Sequence, residues 1–396
     1  MLNEQSTRNY EYDSQDTPQN TETLSTPESQ LPGLRDAIDT VMMVTQVEAP
    51  KAPQVAIQYT GQLTVDADEA FDRMQPVFEK LNVHGYFTEK PETHDHQITI
   101  LQGRYEPKPR PWWPNALLLA LTLLSLLFVG SSIQAGADNR EVSSLGDLRL
   151  YEGWPYALSL ILILGAHELG HYFAARRHNV SVTLPYFIPM PFGIFGTLGA
   201  FIQLREPMRN RNVLFDVGVA GPLAGLVFAV PILLLGLATS EVQKVPTDED
   251  ILREGNSIFY AASKVLVFGR FLPDEESNED VMINQLAQAG WTGLFVTALN
   301  LIPLGQLDGG HVLYTLLGPR AAKLYWPIIG TFVVLSLINS AWILWTILLF
   351  MLGRYYARPM EDITPLSTRR RLIGYAAIVI LVLIFIPNPL EFIQAE

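Results

Sequence analysis

The sequence predicts a polytopic α-helical membrane protein of about seven spans, with a small α/β module near its N-terminal end. Three observations carry this. The chain has 396 residues, of which 48% are hydrophobic and only 17% charged, a balance typical of membrane proteins. The apolar residues are unevenly spread: the first hundred or so residues are polar, and long apolar runs dominate from Trp113 onward. Finally, Lys and Arg gather beside those runs, as topology signals do. Composition also excludes some chemistry. There is no cysteine, so disulfides, thiolate metal sites and cysteine nucleophiles are out, and a metal must be held by His, Asp or Glu. A net charge of −13 argues against nucleic acid as a partner.

Residues 1–50 are rich in Glu, Gln, Ser, Thr, Asp and Pro and read as a disordered cytoplasmic tail, with a short helix around Leu34–Val44 on contact with a partner. No apolar h-region is present, so no cleavable signal peptide is expected. Residues 51–108 read as a small soluble α/β module. Val55, Ile57 and Tyr59 alternate as in a half-buried strand. Asp66 and Glu69 have capping-box spacing, and Phe71, Met74, Val77, Phe78 and Leu81 make a helical stripe that Pro76 is expected to kink or shift. Tyr86–Phe87 and Gln97–Leu101 suit two further strands. His84, His94 and His96 read as surface histidines, because nothing nearby has ligand spacing.

Residues 109–396 read as the membrane domain. A bilayer takes roughly 20 helical residues, and the expected spans are Asn115–Gln134, Pro155–Ala175, Val213–Ala238, Leu286–Ile302, a hairpin of Leu324–Ile338 and Ala341–Leu352, and Leu372–Ile386. Alternating them puts Arg176, Arg177, Arg205, Arg209, Arg320, Arg354 and Arg369–Arg371 on the side of the N-terminus. That places the N-terminus in the cytoplasm and the C-terminus outside. A bacterial cytoplasmic membrane fits, with a thylakoid as the alternative. The segment Val182–Gln203 is apolar but rich in Pro and Gly, with basic flanks. It reads as a re-entrant loop or β-hairpin. An edge strand at Gly199–Gln203 that pairs with an unwound substrate segment is one reading; a plugging loop is the other.

The second span contains His167-Glu168-Leu169-Gly170-His171. On a helix, residues four apart differ by about 40° around the axis, so both histidines can share one metal while Glu168 is placed to take a proton from a water. This pattern arises by chance in roughly 1% of chains of this length, from ordinary His and Glu usage. Within a membrane helix, each ionisable group adds roughly 2.5–3.5 kcal/mol even on a lenient scale, so a purposeless cluster is unlikely on energetic grounds. The run Asn300-Leu301-Ile302-Pro303-Leu304-Gly305-Gln306-Leu307-Asp308-Gly309-Gly310-His311 breaks a membrane helix and sets an acid beside the break. Irregular backbone at that depth belongs in a protein-lined cavity, so Asp308 is the candidate third ligand. His311 reads as a supporting partner or plain packing, His178 as part of a polar flank, and Gly221–Gly225 as a small-residue packing face.

Together these two motifs resemble the site-2 protease family of intramembrane metalloproteases, in its cyanobacterial and plastid-like form without a PDZ domain. The resemblance covers roughly residues 150–355. It implies a six-helix protease core, Zn2+ as cofactor, His167, His171 and Asp308 as metal ligands, and Glu168 as general base. It also implies that Asn300 contacts the substrate backbone or oxyanion; Gly199 joins it as a candidate substrate-binding residue. Many members carry a second proline where this chain has Gly305. The implied activity is regulated intramembrane proteolysis of a membrane protein within lipid; a zinc-binding membrane protein without peptidase activity, or a metal transporter, is the alternative. Oligomeric state is not legible.

Overall fold

A computed structural model of the chain describes residues 31–49, 54–90, 92–103, 108–142, 144–246 and 251–393. It opens with helix α1 (Leu34–Asp39) and strand β1 (Met42–Glu48), then β2 (Val55–Leu63), α2 (Ala67–Leu81), β3 (Val83–Glu89) and β4 (His96–Gln102). These form one antiparallel sheet in the order β1-β2-β4-β3. The apolar stripe of α2 packs on it: Phe71, Met74 and Phe78 are buried with Ile57, Tyr59, Phe87, Ile98 and Ile100.

The module therefore starts before residue 51. Residues 34–48, read from composition as a tail, supply a helix and an edge strand, because Leu34, Ile38, Val41 and Met42 bury themselves in this core. The remainder of the expected tail, residues 1–30, lies outside the described residues. Pro76 stands inside α2 without ending the helix. Asp66 is the N-cap residue but makes no side-chain cap hydrogen bond, so the expected capping box is not formed there.

Beyond the module come α3 (Trp113–Ala137), α4 (Trp154–Arg177), strands β5 (Tyr186–Pro189) and β6 (Thr197–Phe201), and α5 (Arg211–Ala238). Then follow β7 (Glu241–Lys244), β8 (Ile251–Glu254), α6 (Ile258–Phe268), β9 (Glu279–Met282), α7 (Gln285–Leu301) and α8 (Asp308–Leu317). A 3-10 turn leads to α9 (Tyr325–Ile338), α10 (Trp342–Leu352), α11 (Thr368–Ile384) and β10 (Leu390–Ile393). The molecule is thus mostly helical outside the module. Four helical stretches are long and apolar enough to cross a membrane: Trp113–Ala137, Leu150–Arg177, Arg211–Ala238 and Asp308–Ile338.

Helices α4 and α5 approach closely because small residues meet between them. A side-chain carbon added at Gly170 would fall 2.6 Å from the Ala220 carbonyl oxygen and 2.9 Å from the Ala224 methyl group. Strands β5 and β6 form a two-stranded antiparallel hairpin that lies along α3. The Asn115 amide donates to the carbonyls of Leu184 and Pro185 at 2.8 and 3.0 Å, and the Ser125 hydroxyl donates to that of Gly196 at 2.6 Å. At the far end of the bundle, β7 pairs with β9 and β8 with β10. Beneath them, Trp291 stacks on Phe295 and Trp342 on Phe385.

Candidate metal centre

Helix α4 carries His167, Glu168 and His171, which are 3%, 4% and 6% exposed. Their burial follows from α4 being enclosed by α5 and α7. Asp308 arrives from the other motif as the first residue of α8. Between α7 and α8 the chain makes a sharp break at Pro303–Gly305. Gly305 adopts φ +50°, a left-handed value that a proline ring, locked near φ −65°, cannot reach. This is why the residue can be glycine here and not the second proline of the resemblance. The break is also crowded: a side-chain carbon on Gly309 would fall 1.8 Å from the Leu301 carbonyl oxygen.

The break brings the carboxylate to both imidazoles. His167 Nε2 lies 3.1 Å from Asp308 Oδ2, and His171 Nε2 lies 3.3 Å from Oδ1. Ligand atoms of the three residues all lie within 4.8 Å of one another. Ligands bound at about 2.0–2.2 Å in tetrahedral geometry sit roughly 3.3–3.5 Å apart. The observed spacing is close to that edge length, so the two-nitrogen, one-oxygen set suits a zinc ion. His171 Nδ1 donates to the Val217 carbonyl of α5 at 2.7 Å. That bond fixes the tautomer and leaves Nε2 free as a ligand.

Helix α5 makes the room. A side-chain carbon at Gly221 would fall 2.1 Å from His171 Nε2, and one at Gly225 would lie 3.3 Å from His167 Nδ1. The glycines read from sequence as a packing face are thus the wall behind the histidines. The Val217 carbonyl had no signal in the sequence, since any residue supplies a carbonyl.

Glu168, Asn300, Asp308 and His311 line one cavity with both histidines, closed on another side by Ala200, Phe201 and Ile202 of the hairpin strand and its exit. The Asn300 amide nitrogen is 3.4 Å from His167 Nε2, so Asn300 stands beside the cluster. Gly199 takes φ +103° with open space where a side chain would be, but its neighbours Ala200 and Phe201, rather than Gly199 itself, line the cavity. His178 lies elsewhere, paired with Asp216 at 2.9 Å. Among the described residues, His167, His171 and Asp308 are the sole group with metal-ligand spacing; His84, His94 and His96 do not converge.

Fold and site together define a helical membrane protein with a buried two-histidine, one-carboxylate candidate metal centre. Residues 155–337 match the family model of peptidase family M50, the site-2 protease family that the two motifs resemble. The chain is 29% identical over 308 residues to a probable chloroplastic zinc metalloprotease, EGY2, of Oryza sativa subsp. indica, covering 75% of this chain and 55% of that protein. It is 29% identical over 316 residues to EGY2 of Arabidopsis thaliana (76% and 54%) and 28% identical over 313 residues to EGY1 of the same plant (71% and 55%), both also named probable chloroplastic zinc metalloproteases. The chain spans about half the length of these curated relatives. No solved structure matches.

Proposed function

We propose that this chain is an intramembrane zinc metalloprotease that hydrolyses a peptide bond within or near a transmembrane segment of a membrane protein. The observation that carries the reading is the convergence of His167, His171 and Asp308 on one point inside membrane-length helices, with Glu168 on the same cavity. The relatives' names support zinc as the metal. Bound by those three residues, zinc would supply Lewis-acid chemistry, polarising a carbonyl and acidifying a water. Glu168 serves as general base and then general acid, taking a proton and returning it to the leaving amine. The Asn300 amide offers a hydrogen bond to the substrate backbone next to His167. Strand β6 presents Ala200 and Phe201 at the cavity, where an unwound substrate segment can pair with its edge; Gly199 serves this by keeping that edge free of a side chain.

Seven spans remain the reading of the membrane domain: α3, α4, α5, α7, the α9–α10 hairpin and α11. Helices α7 and α11 have 17 residues each, about 25 Å at 1.5 Å per residue, close to a bilayer core of about 30 Å. The β5–β6 hairpin is read as re-entrant. Its anchors on α3, Asn115 and Ser125, are ten residues apart, so it descends about 15 Å along that helix. His171 lies five residues before Arg176, roughly 8 Å from the basic edge, which favours a cavity opening to the cytoplasmic or stromal side. The α/β module sits on that same side, with the C-terminus opposite.

The test is Glu168→Gln in zinc-loaded protein reconstituted with a transmembrane substrate. Zinc content should stay at the parent value while cleavage falls by at least about 100-fold, the usual scale for a lost acid–base group. A variant that keeps its zinc and cleaves like the parent overturns the reading.

A further inference from the structure

We propose that His311 is a substrate-contacting residue of this site, offering a hydrogen bond to the peptide unit that enters the cavity. This rests on the protease reading above and adds a group that the two motifs leave without a role. Among the chain's seven histidines, six have a hydrogen-bonding side-chain partner: a backbone group for His84, His96 and His171, a carboxylate for His94, His167 and His178. His311 is the exception. It is 9% exposed, and its Nδ1 is buried with no hydrogen-bond partner among the described residues.

A buried ring nitrogen without a partner is disfavoured, and native structures seldom leave one so. Nδ1 is itself shielded from the cavity, so the imbalance is relieved when the ring turns to bring that nitrogen to the group that fills the cavity. His311 lines that cavity together with Glu168 and Asn300. It stands outside the three-residue ligand cluster, so its role is separate from holding the metal.

Its placement is also fixed. Asp308 and His311 are three apart on α8, and so leave the helix on one side. The backbone amide of His311 donates to the Leu307 carbonyl at 3.0 Å, which anchors the first turn. Across from it, a side-chain carbon at Gly218 would come within 2.9 Å of His311 Cβ. Glycine at that position of α5 therefore lets the histidine stand as close to α5 as it does. The carboxylate ligand and the imidazole share one rigid turn, so a peptide group positioned at the cluster meets the ring in a defined geometry.

The experiment uses full-length, zinc-loaded protein in liposomes with a membrane-embedded substrate, comparing His311→Leu, His311→Asn and His311→Gln with the parent. Zinc per chain and substrate affinity, the latter measured in the non-cleaving Glu168→Gln background, report on folding and site integrity. His311→Leu should keep its zinc and its affinity within about threefold, yet lose about 100-fold or more in kcat, the scale of a lost transition-state donor. Asn or Gln, which restore a polar group at one ring-nitrogen position, should recover most of that loss. Cleavage by His311→Leu within twofold of the parent overturns the proposal. So does loss of zinc in step with activity, or failure of both Asn and Gln to exceed Leu. A zinc-loaded parent that cleaves nothing is a different failure, that of the protease reading itself.

Discussion

The histidines of the metal centre owe their positions to residues that have no side chain. Gly221 is the clearest case, because the carbon of any other residue would coincide with His171 Nε2, at 2.1 Å. Gly221→Ala should therefore push the imidazole off the site and break its bond to the Val217 carbonyl. The expected outcome is zinc content well below the parent's and cleavage down by about 100-fold or more, the upper range for disturbed ligand support. Metal analysis of the purified variant checks it, and full occupancy would refute it. Gly305 makes a second prediction. Its φ of +50° excludes proline, so Gly305→Pro should misplace Asp308 and reduce zinc affinity by at least about tenfold. Competition against a zinc chelator measures this. The candidate ligands were legible as residue types, two histidines at helical spacing and an acid beside a helix break. Their support was not, because a glycine wall and a backbone carbonyl have no distinctive residue type.

At the scale of elements, the three long apolar helices α3, α4 and α5 were legible from length and apolarity, and the two-residue alternation marked β2. Edge strand β1 was not, because only Met42 is well buried while Met43 and Val47 stand exposed, so no apolar alternation marks it; its pairing with β2 is a tertiary fact. Nor was the knot between β8, α6 and β9. Lys264 is fully buried, 3.0 Å from Asp280 and 3.5 Å from Glu254, and the Tyr260 hydroxyl donates to Glu254 at 2.8 Å. One lysine faces two carboxylates, so one of them is better off neutral. Burial pushes the Glu254 carboxyl up, and Lys264 pulls it only partly back. The folded chain thus holds a proton that the unfolded chain releases near pH 4.3. The stability this confers is fully present below that pH and is lost as pH rises through the raised folded value. Glu254→Gln should remove the dependence: its thermal midpoint should fall less than the parent's between pH 4 and pH 8 in a detergent melt, and parallel curves would rule this out. Lys264→Met leaves buried acid unpaired and should destabilise by about 3–5 kcal/mol, read from the same melts.

Taken whole, the chain ties its polar module to its membrane core by backbone as well as side chains. Residues 360–362, between α10 and α11, lie as a strap against the edge of β3. The Phe87 amide donates to Met360, and Asp362 donates back to Phe87, at 2.7 and 2.9 Å. The strap's other edge takes the segment before α5, with Met360 and Glu361 donating to Met208 and Arg209 at 2.8 and 2.7 Å. Met360 and Ile363 pack into the module's core. Arg209 reaches Asp68 and Asp72, and Asn210 reaches Asp68. Arg211, at the start of α5, grips Asp362. The helix that walls the metal centre is thus continuous with the module's anchor. A joint built from paired backbone strands resists sliding, because any shift breaks several hydrogen bonds at once. The module should therefore stay docked while the protein works. The absence of cysteine makes this testable without background. Asp68→Cys with Asn210→Cys replaces a side-chain contact of 3.0 Å and should oxidise to a disulfide in mild conditions. Cleavage of a reconstituted substrate should then be within about twofold of the reduced form. If the cross-linked protein were inactive and reduction restored it, the module would have to swing away for substrate to enter, and the strap would be a latch and not a fixed joint.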